Sequence, residues 1–406
     1  MNRKSRYNIK IDFRNSNGSF IFDKNSKKKY LDFFGQYATL ALGYNHEIFK
    51  SQEYIETINN ISHQKVVNNE IASDEALDFN KSFKEYTSFN KFDYYHYACT
   101  GALAIEAAIK TAIDYKKNKA FKVISFKGSF HGINGYGGIV TDRFSPVNER
   151  LDGFPGNYWH HFENPTVKNS SRSSSRENTS IVNDTLSKIR KTILRDKDVC
   201  CILVEPIQCT NGDLFFTDDF FDGLRKIADD TDTPLIFDEI QTGFCSTGKV
   251  WYFQNLNIIP DIVVFGKKTQ LSGIMVNEKF SKIFKKPIRL EVTWDADLID
   301  MVRCKFVIKA LIKNNILENV QERSGQLKEG LLKIPGIKNL RNAGLLLAFD
   351  LENKNLRDKL VNSLFEKNMI VNPTKDNTIR LRPPLSVSSL EIDEAINKIK
   401  SSMDSF

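Results

Sequence analysis

The middle of the chain carries four short apolar runs separated by longer, more polar stretches. KVISF (122–126), CILVEPI (201–207), PLIFDEI (234–240) and DIVVFG (261–266) are rich in Val, Ile, Leu and Phe. They lack the polar alternation of a half-exposed sheet, so they predict strands buried on both faces. Helical periodicity falls between them, at about 101–117, about 182–196 and about 219–229. Strand–helix–strand alternation predicts an α/β fold: a mostly parallel sheet with helices on both faces and ligands at the carboxyl ends of the strands. Past residue 303 the pattern changes. Amphipathic helices at about 303–333 and 388–402 flank strands at about 344–351 and 378–382, which predicts a smaller α+β domain. The first 45 residues predict a strand pair and a turn-rich segment. The expected division is an N-terminal segment 1–48 packing with the small domain, a large domain 49–303 and a C-terminal small domain 304–406. The serine-rich stretch NSSRSSSREN (169–178) predicts an exposed loop without a catalytic role. No internal repeat is seen.

Composition changes this picture little. The 406 residues suit a large domain plus a smaller one. Hydrophobic residues at 41% and charged residues at 27% are globular proportions. A net charge of +8 over this length is mild. It comes without a basic helix or an aromatic–basic repeat, so it predicts a lysine-rich surface and no nucleic-acid partner. Cys99, Cys200, Cys201, Cys209, Cys245 and Cys304 form no CxxC pair. Reduced thiols and no metal site are expected. The opening MNRKSRYNIKIDF has no apolar core of a secretory signal, and no run is long enough to span a bilayer. A cytoplasmic protein without a membrane partner is the expectation.

The candidate chemistry sits where the apolar runs end. Asp238 closes PLIFD, and a carboxylate there is costly unless something pairs with it. Alone it reads as a helix cap or a structural ion pair. It also suits a cationic ligand such as a pyridinium nitrogen, whose proton an ionised acid would hold. DIVVFG leads into Lys267 and Lys268, 29 residues beyond Asp238. Alone these read as surface lysines. A desolvated amine beside a second cation also suits Schiff-base chemistry. One βαβ crossover would bring Asp238 and Lys267 to the same edge of the sheet. Thr100-Gly101-Ala102 opens a strong helix, whose free N–H groups make either an ordinary capped start or a phosphate cradle. Phe130 and His131 follow the 122–126 run after a glycine turn. They read as core residues or as a ring-stacking face with its neighbour. Glu205 is another acid after a buried run.

In order and spacing, LDFFGQYATLALGYNH (31–46), TGALAIEAAIK (100–110), FHG (130–132), VEPIQ (204–208), LIFDEIQTG (235–243), PDIVVFGKKTQ (260–270), TWDADLIDMVR (293–303) and IRLRPPLSVS (379–388) resemble class III aminotransferases of fold type I. The similarity is greatest to lysine 6-aminotransferases, which act on terminal amines, and it covers nearly the whole chain. The resemblance implies pyridoxal 5'-phosphate as cofactor, held on Lys267. It implies Asp238 at the pyridine nitrogen, Gln241 at the ring hydroxyl, Phe130 stacked on the ring with His131 beside it, and Gly101 and Ala102 at the phosphate. Glu205 would support the site. Thr293 would reach the phosphate of a partner subunit's site in a homodimer. Arg380, with Arg382 as second candidate, would bind the carboxylate of 2-oxoglutarate or glutamate, as a planar arginine fork suits.

Four departures from the family pattern stand out. Thr210 stands where lysine 6-aminotransferases have a gating Glu. Ile133 stands where they have an Arg for the lysine carboxylate. Asp295-Ala296-Asp297 replaces a run of small residues. Tyr37 stands where the family has a small pocket residue. The expected activity moves an amino group between a terminal primary amine, lysine-like or a related omega-amino compound, and 2-oxoglutarate. An aminomutase or another class III reaction without external acceptor is the alternative. A non-catalytic protein on the same fold is a third reading.

Overall fold

The computed structural model describes residues 6–68, 70–143, 159–168, 172 and 176–406. The chain divides into two compact units. One holds Thr57–Phe244 and Lys249–Ile308; the other holds Met1–Glu56, Cys245–Gly248 and Lys309–Phe406.

The first unit is built on seven strands: β1 (Tyr94–Ala98), β2 (Lys122–Phe126), β3 (His160–Phe162), β4 (Val199–Val204), β5 (Leu235–Asp238), β6 (Ile262–Phe265) and β7 (Ser272–Val276). Their order across the sheet is β1-β7-β6-β5-β4-β2-β3. β7 runs antiparallel to both neighbours, and the remaining pairs are parallel. Every residue of β4, β5, β6 and β7 is buried, the consequence of apolar runs without a polar face. Helix α1 (Gly101–Tyr115) packs on the sheet through Ala104, Ile105, Ala108, Ile109 and Ala112.

In this unit, three expectations about elements need correction. The run 201–207 is not one strand: β4 ends at Val204, and Ile207–Gln208 pairs with Leu214–Phe216 in a separate small sheet. Pro206 has no N–H for the ladder, so the chain leaves the sheet there. The link from β5 to β6 is not an α-helical crossover. Its one regular element is a single 3-10 turn, Tyr252–Asn255. The helix expected from residue 182 already runs from Arg176 to Asp196. Of the serine-rich stretch 169–178 expected as a loop, 176–178 already belong to this helix, and the rest apart from Arg172 lies outside the described residues.

The second unit holds a four-stranded antiparallel sheet of Lys338–Ala343, Leu346–Asp350, Thr378–Leu381 and Asn372–Thr374, in that order. Arg341 and Asp350 form a fully buried ion pair at 3.0 Å, and the Thr378 hydroxyl donates to the same carboxylate at 2.7 Å. The N-terminal hairpin Phe20–Phe22 and Lys29–Asp32 adds Met369–Ile370 as a third strand. The helix expected over 303–333 is two, Leu298–Lys313 and Ile316–Leu332. Asn315 breaks it with a φ of 48°, a left-handed conformation that Asn tolerates better than most residues.

Candidate active site

Two strand ends define the site. β5 and β6 are hydrogen-bonded neighbours, with Asp238 opposite Val264. Lys267 follows β6 after Gly266. A Cβ on Gly266 would come within 2.7 Å of Ser272 Oγ, so a larger residue there would have to displace that side chain. Lys267 has a φ of 57°. A non-glycine residue rarely takes that conformation, and such backbone concentrates where function fixes a side chain. Lys267 lines a cavity of about 290 Å³. Lys268 is 3% exposed and is not among the cavity-lining residues.

Asp238 is held on both oxygens. Oδ1 accepts the Ile240 N–H at 3.1 Å, and Oδ2 lies 2.8 Å from His131 Nδ1. The His131 side chain is fully buried. A proton on its Nδ1 leaves Nε2 as an acceptor, and Nε2 makes no hydrogen bond. A buried polar atom left so is costly and marks a place for a further group. The adjoining loop is shaped by Gly128, with a φ of 75°, where a Cβ would meet the Asn211 amide at 2.2 Å. The loop is tied down by the Phe130 N–H on Glu205 Oε1 and the His131 N–H on Thr141 Oγ1, both 2.8 Å. Burial, with Asp238 nearby, pushes the Glu205 carboxyl well above the usual carboxylate range, while the Phe130 N–H and the Lys267 amine pull it down.

The third wall is the start of α1. The Thr100 hydroxyl accepts the Leu103 N–H at 3.3 Å, which leaves the first N–H groups of the helix pointing out of its end. A Cβ on Gly101 would meet Ile240 Cδ1 at 2.8 Å, so glycine lets the helix end approach the β5 loop.

The same cavity is lined by Gly101, Ala102, Phe130, His131, Ile133, Glu205, Thr210, Asp238, Gln241 and Lys267. Four candidates are not among its lining residues. Thr293 is exposed, in the segment before helix Leu298–Lys313. Tyr37, Arg380 and Arg382 belong to the other unit. Tyr37 is 64% exposed and packs edge-on against Phe34. Arg380 and Arg382 are buried. The Arg382 guanidinium donates to the backbone carbonyls of Leu347 and Leu381, at 3.1 and 3.0 Å. The two acids after Trp294 are engaged locally. Asp295 accepts the Val292 N–H at 2.7 Å, and Asp297 accepts the Ile299 N–H at 2.9 Å.

Sequence reasoning missed several residues. Gly132, Ile207, Ile240 and Thr242 also line the cavity. Glu239 is fully buried and accepts the Tyr252 and Phe253 N–H groups at 2.6 and 2.9 Å and the Thr242 hydroxyl at 3.0 Å. Burial pushes its carboxyl up to about 7 against those hydrogen bonds. Its signal was available: consecutive strand residues point to opposite faces, so Asp238 and Glu239 could not both serve one site. Arg143 Nε donates to the Thr210 carbonyl at 2.8 Å, a contact without a sequence signature. Among the described residues no group of three or more His, Cys, Asp or Glu is placed to hold a metal ion, and no helix is long and apolar enough to cross a membrane.

A mostly parallel sheet presenting a lysine and an aspartate at adjacent strand ends, beside a helix N-terminus, is the architecture of fold type I pyridoxal-phosphate enzymes. The model of aminotransferase class III matches residues 1–403, and the chain belongs to that family of pyridoxal 5'-phosphate-dependent enzymes. The L-lysine-epsilon aminotransferase of Mycobacterium tuberculosis is 32% identical over 416 residues, covering 97% of this chain and 92% of the relative. A 4-aminobutyrate aminotransferase of Dictyostelium discoideum is 28% identical over 425 residues, covering 97% and 84%. The solved lysine aminotransferase from M. tuberculosis in the internal aldimine form superposes with a TM-score of 0.92 at 30% identity, over 98% of this chain and 95% of that one.

Proposed function

We propose that this chain is an omega-aminotransferase that moves an amino group between a terminal primary amine and the 2-oxoglutarate/glutamate pair, with the amine becoming an aldehyde. The observation that carries the reading is the placement of Lys267 and Asp238 at neighbouring strand ends on one cavity.

The lining residues fit the cofactor. An amine suits its aldehyde, a carboxylate its ring nitrogen, a helix N-terminus its phosphate and the Phe130 face its ring. The orphaned His131 Nε2 adds a polar atom still to be satisfied. When bound, pyridoxal phosphate supplies an electron sink for the carbon that loses its proton. Asp238 would hold the proton on the ring nitrogen, its carboxylate fixed by the 2.8 Å contact with His131. Lys267 would anchor the cofactor and serve as the proton carrier for the substrate carbon. Gly101 and Ala102 would offer backbone donors to the phosphate, and Gln241 would hold the ring hydroxyl. Glu205 acts at one remove, setting the Phe130 backbone.

Arg380, with Arg382 as the second candidate, would bind the 2-oxo acid's carboxylate, as a planar guanidinium fork suits. Thr293, exposed in one chain, would complete the phosphate site of a second copy in a homodimer.

The test is a half-reaction on the purified holoenzyme. Glutamate alone is expected to convert the visible cofactor band, with one equivalent of 2-oxoglutarate released. A band that glutamate leaves unchanged, in an enzyme that still rearranges an amine without an acceptor, would favour the aminomutase reading instead.

A further inference from the structure

We infer that Lys65 is a positioning residue for the cofactor phosphate: its ammonium offsets acids that this chain carries beside the helix end opened by Gly101, and it rests on the assignment of the phosphate to that helix end. The acids are those of Asp295-Ala296-Asp297, with Asp300 in the first turn of the following helix Leu298–Lys313. All of these residues belong to the first unit.

The acidic segment is joined to the chain next to the cradle. Cys99 immediately precedes Thr100, the cap of α1. Its thiol donates to the Trp294 and Asp295 carbonyls at 3.3 and 3.2 Å. Burial pushes the Cys99 thiol above its usual range, Lys65 pulls it down, and Asp300, Asp297 and Asp295 push it up again. One cation and three carboxylates therefore act on the residue beside the cap.

Lys65 holds this segment at two points. Its Nζ lies 3.5 Å from Asp297 Oδ2 and 5.0 Å from the centre of the Trp294 ring, a salt bridge and a cation–π contact from one ammonium. The neighbouring Asn68 amide donates to the Ala296 carbonyl at 2.8 Å. Asp300 is paired with Arg303. A phosphate monoester carries about two negative charges near neutral pH, so a carboxylate released beside its cradle repels it. The Lys65 and Asp297 side chains are 45% and 27% exposed. A pair so open to water adds little to folding, which leaves its local field as the property that a substitution changes.

The test titrates the full-length protein, stripped of cofactor, with pyridoxal 5'-phosphate and separately with pyridoxal, reading the visible band. Lys65→Gln is expected to weaken pyridoxal 5'-phosphate about fivefold, the scale of one partly screened charge, and to leave pyridoxal unchanged. Lys65→Arg keeps the wild-type ratio of the two affinities. Asp297→Asn, which retains a residue suited to a helix start, is expected to restore the affinity in the Lys65→Gln background. The loss shrinks as salt rises from about 0.01 M to about 1 M and the screening length falls from about 30 Å to about 3 Å. No loss in Lys65→Gln, an equal loss for pyridoxal and its phosphate, or a loss that Asp297→Asn does not restore overturns the role of Lys65, while a wild-type preference for the phosphorylated form keeps the cradle standing. A wild-type chain that binds pyridoxal as tightly as pyridoxal 5'-phosphate overturns the cradle and the role of Lys65 together.

Discussion

Around Asp238 and Lys267 the cavity wall is buried, ionisable and hydrogen-bonded. Both Asp238 oxygens have partners, the Phe130 N–H sits on Glu205, and glycines at 101, 128 and 266 clear space to within a few ångströms. Around Ile133 the same cavity is apolar and open, with Ile133 two-thirds exposed. The first side is over-determined, so each substitution there disturbs several contacts. The second is defined by what it covers, so substitution there retunes choice without dismantling the site. The difference teaches how sharply the character of one cavity wall can change: the turn FHG-Ile133 passes from the buried side to the exposed side within four residues.

The largest expected effect breaks the ordered side. Lys267→Ala should lower turnover by about 10⁴-fold or more, since anchor and proton carrier go together. Lys268→Ala should leave the visible band in place, and steady-state kinetics with absorbance spectra read both. Asp238→Asn keeps the shape and removes the charge. It should lower kcat by about 10²–10³-fold, the scale of losing one preorganised electrostatic group, with circular dichroism unchanged. A smaller effect concerns stability. The Glu239 carboxyl is raised to about 7 in the folded chain, against an unfolded value of about 4.3. The folded state therefore binds the extra proton between those values. This group's contribution is full below the unfolded value and is lost as pH rises through about 7, on the order of 3 kcal/mol in total. Urea unfolding of wild type and Glu239→Gln at pH 5 and pH 8 should show a shallower pH dependence in the variant. The smallest expected effect is on the open side, where Ile133→Arg should change kcat/KM by about tenfold or less and leave the visible cofactor band in place.

Much of the ordered side was legible in the sequence. Buried strands announce themselves as apolar runs, and an acid or amine just past such a run stands at the carboxyl edge of the sheet, where ligands bind. That logic found Asp238 and Lys267; Gly101 was picked out by a small-residue helix start and Phe130 and His131 by a glycine turn, and all five line one cavity. It failed where register and contact decide. The His131–Asp238 pair joins residues 107 apart, which no local pattern encodes. Glu239 drew no notice in the sequence, and its hydrogen bonds to the Tyr252 turn are a long-range contact that only the fold shows. The break at Asn315 was hidden by continuous helical periodicity, because one left-handed residue changes direction without changing composition. The choice of Lys267 over Lys268 came from the family resemblance, since adjacent lysines are equivalent in local pattern; here Lys267 lines the cavity and Lys268 is not among the lining residues.

The central claim is that one amine, Lys267, holds the cofactor at the tip of β6. Borohydride reduction of the holoenzyme fixes the cofactor aldehyde on whatever amine carries it, and peptide mass mapping reads the position. The account predicts a pyridoxyl mass addition on Lys267 alone. Addition on Lys268, or on no residue of the 261–270 segment, would contradict it.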